Sequence, residues 1–199
     1  DELKKTQKRI NKFIHKTPVL SSESINEIAG CSIHFKCENF QKMGAFKMRG
    51  ASNALLKLSQ SQKQNGVTTH SSGNFGQAVA LSAKLNNIKA TIVMPSNAPS
   101  VKKEAVKGYG ARIIECEPTL QAREATANAV VESSGATFLH PYNCYDVIAG
   151  NSTATIELLE QTSDLDCIIA PIGGGGLISG TALAANYFSN INVFGAEPK

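Results

Sequence analysis

From Gly66 onward, short apolar segments alternate with helical segments that are about a dozen residues long. This alternation is typical of βαβ units, in which each strand of a parallel sheet is followed by a helix. The predicted strands are Val67–His70, Thr91–Met94, Arg112–Cys116, Thr137–His140, Cys167–Ile172 and Val193–Ala196. The predicted helices lie at about 74–85, 100–108, 120–134, 147–161 and 177–188. The sequence therefore predicts an α/β fold with parallel sheets.

The chain before Gly66 has a less regular pattern. Apolar residues at near-helical spacing predict a helix over residues 3–14, and Pro18 ends that segment. Alternating apolar and polar residues predict a strand at Ile33–Cys37. An apolar helical stripe follows Lys47 and is broken by the polar run Ser59–Gly66, which we interpret as a crossover between two domains.

Composition excludes several classes of protein. The 199 residues are 42% hydrophobic and 18% charged, so the chain can bury a sizeable core. No apolar run approaches the roughly 18 residues that a membrane span requires, and no signal segment opens the chain. We therefore expect a cytoplasmic protein that makes no membrane contact.

Charge and cysteine spacing give two further expectations. The lysines at positions 4, 8, 12 and 16 recur every four residues, which predicts a solvated helix face. The clustered arginines and interleaved aromatic residues of a nucleic-acid surface are missing from the sequence, so we expect no nucleic-acid partner. The five cysteines form no C-x-x-C pair, and no two histidines have metal-ligand spacing. We expect reduced and mostly packed thiols.

The stretch Phe40–Gly50 contains a lysine with unusual neighbours. Lys47 directly follows Gly44, Ala45 and Phe46 at a predicted strand-to-helix turn. Such small and apolar neighbours would let a flat ligand approach and would desolvate the amine. Desolvation lowers the pKa of an ammonium group and favours the neutral amine, which is the nucleophile that forms Schiff bases. The alternative is an ordinary surface lysine whose stem lies along apolar surface.

Two loops follow predicted strands, where ligands of parallel sheets bind. Ser71–Asn74 offers two hydroxyls, a glycine and an amide at a helix N-terminus, which favours an anion such as a carboxylate. The same residues also suit a plain helix N-cap. Gly173–Gly176 fits neither the dinucleotide spacing G-x-G-x-x-G nor a P-loop. It predicts either a backbone cradle for a single phosphate group or a flexible turn.

Taken together, these segments resemble the pyridoxal-phosphate enzymes of fold type II. Among them, the serine/threonine dehydratases (ammonia-lyases) and the serine racemases are the most similar. The matching segments are Gly44–Gly50, Ser71–Asn74 and Pro171–Leu177, with further similarity at Lys36–Lys42, Val147–Gly150 and Gly195–Pro198. The resemblance implies a fold like that of the tryptophan synthase β subunit, with two parallel-sheet α/β domains and pyridoxal 5'-phosphate in the cleft between them. We expect residues 1–65 and 144–199 to form the large cofactor-binding domain and residues 66–143 a small inserted α/β domain.

The resemblance also assigns roles to individual residues. It implies that Lys47 holds the cofactor as a Schiff base, that Phe46 packs against the cofactor ring, and that Asn74 hydrogen-bonds the phenolic oxygen. The phosphate-binding residues would be Gly173, Gly174, Gly175, Gly176 and Leu177. The substrate-binding residues would be Ser71, Ser72, Gly73 and Asn74. Within that loop, Ser72 matches a catalytic serine that faces the substrate Cα from the side opposite Lys47.

The implied reaction is the conversion of L-serine or L-threonine to a 2-oxo acid and ammonia. Lys47 would act as the general base that takes the α-proton. If Ser72 returned a proton from the opposite face, the same enzyme would also racemise serine. The alternatives are an enzyme that is mainly a serine racemase, a 3-hydroxyaspartate dehydratase, and a truncated, inactive module that binds a ligand.

Some positions depart from the usual family pattern. Asn151 and Ser152 replace the usual Gln-Gly, and Phe75 stands where many members have histidine. We expect neither change to touch the assigned catalytic positions. Since relatives continue well past the position of Lys199, we also expect the C-terminal part of the large domain, including the group that faces the pyridine nitrogen, to be absent from this chain.

The resemblance further implies a metal site and an assembly. Glu197 matches the first carboxylate of a divalent-metal site, occupied by Mg²⁺, in the racemase branch. A lone glutamate in a loop is also consistent with simple solvation. The full-length protein is expected to form a homodimer or a higher homo-oligomer.

Overall fold

The structure is a computed structural model that describes residues 2–198. Its helices are α1 (Glu2–Ile10), α2 (Glu23–Ala29), α3 (Lys47–Leu56), α4 (Gln60–Asn65), α5 (Asn74–Leu85), α6 (Ser100–Gly108), α7 (Leu120–Ser134), α8 (Tyr145–Gln161) and α9 (Gly176–Phe188). Its strands are β1 (Val19–Leu20), β2 (Phe35–Lys36), β3 (Val67–His70), β4 (Ala90–Pro95), β5 (Arg112–Cys116), β6 (Thr137–Phe138), β7 (Cys167–Pro171) and β8 (Asn192–Ala196). Short 3₁₀ turns lie at Asn11–Phe13, Glu38–Phe40 and Lys42–Gly44.

The main sheet has four parallel strands in the order β5-β4-β3-β6. All four residues of β3 are buried, as expected for a β-branched strand with neighbours on both sides. Val67 on β3 lies opposite Ala90 on β4 and Thr137 on β6. The carboxyl ends of β3 and β6 are therefore at the same edge of the sheet, and the loops after them start side by side. Two smaller sheets are the parallel pair β7-β8 and the antiparallel pair β1-β2.

The predicted alternation from Gly66 is confirmed. The bounds of β3, β5, α5, α6 and α7 agree with the prediction, and most of the other elements differ by one or two residues at an end. The predicted strand Thr137–His140 is one of these, because β6 ends at Phe138. The chain turns there, and the turn is held by hydrogen bonds that the His140 Nδ1 atom accepts from the backbone N–H groups of Tyr142 and Asn143.

The sequence prediction missed β1, α2 and α4. The polar run Ser59–Gly66 is not an open linker, since α4 fills it. In a capping box, Ser59 Oγ accepts from the Gln62 backbone N–H and the Gln62 side chain accepts from the Ser59 N–H. Helix α2 carries no buried residue, and Ile28 on it is 88% exposed. Its Ile25, Ile28 and Ala29 have helical spacing, but a helix of seven residues is too short for that pattern to stand out.

Helix α3 packs between α5 and α8 and crosses α8 at very close range. The crossing point is a pair of glycines, Gly50 on α3 and Gly150 on α8. A Cβ placed on Gly150 would lie 2.6 Å from the Gly50 Cα and 2.5 Å from the Arg49 carbonyl oxygen. Glycine is therefore required at this position, and the two backbones hold the first turn of α3 in place.

A buried ionic network also fixes α3. Arg49 is fully buried, and its Nε and Nη2 atoms each donate to Glu38 at 2.7 Å. Its Nη1 and Nη2 atoms each donate to Glu157 of α8 at 2.8 Å. Burial alone would lower the pKa of Arg49, but hydrogen bonds to both carboxylates outweigh it and raise the pKa. The guanidinium group is therefore permanently charged and joins α3, the turn before it and α8.

The surface of residues 2–198 matches some expectations and corrects one. Lys4, Lys8, Lys12 and Lys16 are all exposed, as the four-residue spacing predicted. All five cysteines are free, but the prediction that most are packed is wrong, since Cys31 and Cys167 are exposed and the others only partly covered. No helix in this part of the chain combines the length and apolar character that crossing a membrane would require.

Candidate active site

Lys47 is the first residue of α3, so its position depends on how the chain enters that helix. The predicted strand-to-helix turn is wrong in detail, because two 3₁₀ turns separate β2 from α3. Met43 and Gly44, in the second of these turns, have φ values of 56° and 76°. This left-handed backbone is unusual for Met43 and ordinary for Gly44. It turns the chain so that Ala45 is buried and Lys47 emerges at the helix N-terminus.

The amine of Lys47 lies in a mostly apolar environment. Its Nζ is 5.1 Å from the centre of the Phe46 ring and 5.6 Å from the centre of the Phe75 ring, and it donates a hydrogen bond of 3.0 Å to the Pro141 carbonyl oxygen. Burial lowers the pKa of this lysine. The neutral form of the amine is therefore favoured relative to that of a surface lysine.

The loop Ser71–Asn74 connects the end of β3 to α5. The Ser71 hydroxyl accepts from the Gly73 backbone N–H at 3.2 Å, and Ser72 is exposed. Asn74, the first residue of α5, accepts a 2.7 Å hydrogen bond on its Oδ1 atom from Lys102 of α6. The loop is next to Lys47, because Phe75, which follows Asn74 directly, packs against the lysine amine.

The glycine loop Gly173–Gly176 joins β7 to α9. Gly175 has a φ of 85°, and a Cβ on Gly173 or Gly175 would meet no atom within 4 Å. On the other side of the loop, a Cβ on Gly174 would overlap the Tyr142 ring. The loop is therefore open on one side and closed by Tyr142 on the other.

The turn Pro141–Asn143 contacts two of the three sequence segments. The Pro141 carbonyl oxygen accepts a hydrogen bond from Lys47, and Tyr142 covers the glycine loop. This turn was not among the predicted functional residues. A usable signal was present, because the turn follows a predicted strand of the parallel sheet, where ligand-binding loops are expected.

A protein-family model for pyridoxal-phosphate dependent enzymes matches residues 10–199. The chain belongs to this family. A serine racemase of Dictyostelium discoideum is 50% identical over 198 residues, which are 99% of this chain and 61% of that protein. An L-threo-3-hydroxyaspartate ammonia-lyase of Saccharomyces cerevisiae is 49% identical over 192 residues, which are 96% of this chain and 59% of that protein.

A solved structure of maize serine racemase superposes with a TM-score of 0.98 at 50% identity. The match covers 100% of this chain and 61% of the maize chain. The chain thus spans about three fifths of the length of the relatives that it matches. The predicted family and the fold type II α/β class are confirmed.

The residues present fit the cofactor of this family. A desolvated lysine amine suits a covalent bond to an aldehyde, and it is flanked by two aromatic rings. The glycine loop leaves open space where side chains would otherwise stand, and it ends at the N-terminus of α9, where backbone N–H groups and the helix dipole favour a phosphate.

One expectation about the pyridoxal-phosphate enzyme pattern needs correction. Phe75 does touch an assigned catalytic position, since its ring packs against the Lys47 amine. Asn151 instead contacts an assigned phosphate-binding residue, because its buried Nδ2 donates a 3.1 Å hydrogen bond to the Gly176 carbonyl oxygen at the end of the glycine loop. Sequence spacing could not show either contact, since each joins elements that are far apart along the chain.

The predicted metal ligand, Glu197, lies at the surface of the protein. Glu197 is exposed beyond the end of β8. Among residues 2–198, no group of three histidine, cysteine, aspartate or glutamate side chains could hold a metal ion. The Mg²⁺ site stays a prediction that depends on oxygen ligands from elsewhere.

Proposed function

We propose that the chain forms the cofactor-holding part of a dehydratase (ammonia-lyase) that acts on a 3-hydroxy amino acid, L-serine or L-threonine, with serine racemisation as a second outcome. The observation that carries this proposal is the placement of Lys47. Its amine lies between two aromatic rings and beside the turn that covers the glycine loop. The similarity to a serine racemase and to an ammonia-lyase for a 3-hydroxy amino acid supports the same reaction class.

In this proposal Lys47 first holds the cofactor and then serves as the base at the substrate α-carbon. The bound cofactor supplies the conjugated ring that accepts the electron pair left when the α-proton departs. A general base must be neutral to take that proton, and burial lowers the pKa of Lys47 in the required direction. The Pro141 carbonyl accepts a hydrogen bond and carries no positive charge, so it orients the amine without opposing its protonation.

Ser71, Ser72 and Gly73 are proposed to bind the substrate carboxylate. They lie immediately before α5, a helix of 12 residues whose N-terminus favours negative charge. Asn74 is proposed to bind the phenolic oxygen of the cofactor. Since its Oδ1 atom already accepts from Lys102, its Nδ2 atom stays available as a donor, which is what an oxygen acceptor requires.

The remaining cofactor contacts are assigned to the glycine loop, Leu177 and Phe46. Leu177 is half-buried in the first turn of α9, and Phe46 is half-buried beside the lysine. The proposed domain division keeps 66–143 as the small domain, so that the substrate loop belongs to it and Lys47 to the large one. Closure of the two domains would then exclude water from the site.

Racemisation requires a proton donor on the face opposite Lys47, and Ser72 is the proposed donor. It is exposed on the loop that carries the carboxylate-binding residues. A 3-hydroxyaspartate substrate is a second candidate, favoured by the 49% identity to the yeast ammonia-lyase. Three assignments stay predictions: Glu197 as a Mg²⁺ ligand, a homo-oligomer of the full-length protein, and a cytoplasmic location.

The decisive test is where the cofactor attaches. Stoichiometric pyridoxal 5'-phosphate is added, borohydride reduction fixes the bond, and peptide mass spectrometry finds the labelled lysine. We expect the label on Lys47, because its amine has a lowered pKa and is linked to the phosphate cradle through the turn Pro141–Asn143. Release of a 2-oxo acid from L-serine, L-threonine and 3-hydroxyaspartate, with chiral analysis of the remaining amino acid, then separates the lyase, racemase and hydroxyaspartate alternatives.

The matched controls are Lys47→Ala and Lys12→Ala, the second at an exposed lysine far along the chain. Lys12→Ala should leave both the label and any 2-oxo acid release unchanged. A Lys47→Ala protein that still takes up one label per chain, or a label spread evenly over the exposed lysines, would refute the proposal.

A further inference from the structure

We infer that His140 is a positioning residue of this active site: its unprotonated Nδ1 atom holds the turn Pro141–Asn143 against both Lys47 and the glycine loop. The inference deepens the proposed function and rests on it, because the turn matters only if Lys47 and the glycine loop hold the cofactor. His140 itself need not contact the cofactor or the substrate.

The hydrogen bonds of the turn define the state of the His140 ring. Its Nδ1 atom lies 2.9 Å from the backbone nitrogen of Asn143 and 3.3 Å from that of Tyr142. A backbone N–H group can only donate, so Nδ1 must be the acceptor in both contacts. The ring is therefore neutral, with its proton on Nε2. The Leu139 backbone N–H still donates to the Thr68 carbonyl oxygen of β3 at 2.8 Å, and beyond it the Nδ1 atom accepts the backbone N–H groups of the turn.

The turn that His140 holds has two functional contacts. The Pro141 carbonyl oxygen accepts from the Lys47 amine at 3.0 Å. The Tyr142 ring lies against Gly174, and the Tyr142 Cα and Cβ atoms lie against Gly176. The same ring packs edge to face on the His140 ring with centroids 4.6 Å apart. If the ring nitrogen stopped accepting, the turn would lose both backbone hydrogen bonds. The lysine would lose its oriented acceptor and the glycine loop its cover.

Burial favours the neutral form of the His140 ring, although a nearby carboxylate opposes it. Burial is the largest cause that lowers its pKa, Glu124 of α7 raises it, and Lys47 of α3 lowers it. His70 of β3 packs edge to face at 6.2 Å, and its own pKa is also lowered, mainly by burial. Because the pKa is lowered, the ring is neutral and the turn is intact at and above the ordinary histidine pKa of about 6.5. The turn opens only as the pH falls further, through the lowered pKa, and the ring becomes protonated.

The test compares acceptors at this position. In His140→Asn, the Oδ1 atom takes the place of Nδ1, because both are bonded to Cγ. His140→Gln carries the same acceptor one methylene too far, and His140→Leu carries none. Binding of pyridoxal 5'-phosphate is measured between pH 8 and pH 5 through the visible circular dichroism of the bound chromophore. Nitrogen NMR of the cofactor-free protein reports the His140 tautomer, and far-UV circular dichroism checks folding.

We expect about tenfold weaker binding for His140→Leu and His140→Gln at pH 8, and binding within about threefold of wild type for His140→Asn. As the pH falls below about 6.5, cofactor binding by the wild type should weaken more than cofactor binding by His140→Asn, which has no ring to protonate. The matched control is His34→Asn at an exposed histidine, which should retain the wild-type pH profile.

Wild-type binding by His140→Leu, or equal binding by His140→Asn and His140→Gln, would overturn the inference. An Nδ1–H tautomer would overturn it without reference to the cofactor. Failure of the wild type to bind would instead count against the proposed function, and the tautomer would then decide the role of His140 in the turn.

Discussion

Replacing Arg49 with leucine should destabilise the protein severely, because Arg49 is the centre of the buried ionic network. The side chain is 0% exposed and makes four hydrogen bonds of 2.7–2.8 Å to two carboxylates. Leucine fills much of the space but leaves the carboxylates without their main partner. Removing one member of a buried ion pair typically costs about 3–5 kcal/mol, mostly through the uncompensated charge that stays behind.

The two carboxylates would not suffer equally. Glu157 keeps a hydrogen bond of 2.8 Å from Lys36, whereas Glu38 keeps only the Thr17 hydroxyl at 2.6 Å. Most of the loss should therefore come from Glu38, and Arg49→Leu/Glu38→Gln should recover part of the stability that Arg49→Leu alone loses. Arg49→Lys should fall between the wild type and Arg49→Leu, because lysine keeps the charge but cannot reproduce two forked contacts.

The assay is urea-induced unfolding at pH 7, with free energies extrapolated to water. The matched control is Lys16→Ala, which removes a surface ion pair whose members are 58% and 47% exposed and 3.7 Å apart. That change should cost about 0–1 kcal/mol. If Arg49→Leu stays within about 1 kcal/mol of the wild type, the buried network does not hold α3 in the way that the structure implies.

Two further predictions concern stability. Gly150→Ala should lose about 2 kcal/mol or more in the same assay, because its Cβ would lie 2.6 Å from the Gly50 Cα; Gly108→Ala, where no atom lies within 4 Å, should change stability by less than about 1 kcal/mol. Equal effects of the two alanines would contradict this. Burial alone would raise the pKa of Glu157, but the hydrogen bonds and positive charges of Arg49 and Lys36 together outweigh it and lower the pKa. The contribution of the Glu157 carboxylate to the free energy of unfolding is thus present above about pH 4.3 and lost as the pH falls further. Glu157→Gln should therefore flatten the fall in the free energy of unfolding below that pH. An unchanged slope would refute it.

Local sequence rules identified most of the regular structure. Strand β3 and helices α5, α6 and α7 are bounded by cap, proline or glycine residues, such as Thr119 and Gly135 at the two ends of α7, so their bounds could be read directly. Helix α4 escaped because a wholly polar helix has no apolar stripe. Its capping box was the signal that could have found it, since Ser59 and Gln62 have the required spacing.

The candidate site likewise combines features that the sequence shows with features that only the structure shows. The sequence by itself determined the residue types that the chemistry needs: a lysine among small and apolar neighbours, a hydroxyl-rich loop at a helix start, and four glycines after a strand. These are local signals, because each depends on residues next to one another in the chain.

Only the tertiary structure decided how they meet. The turn after β6 touches Lys47 through Pro141 and the glycine loop through Tyr142, although these partners are distant in sequence. The same is true of Phe75 against the lysine and of Asn151 against Gly176. The physical reason is that parallel strands bring their carboxyl ends to one edge, whereas the contacts across that edge depend on side-chain packing. Such packing leaves no periodic trace in the sequence.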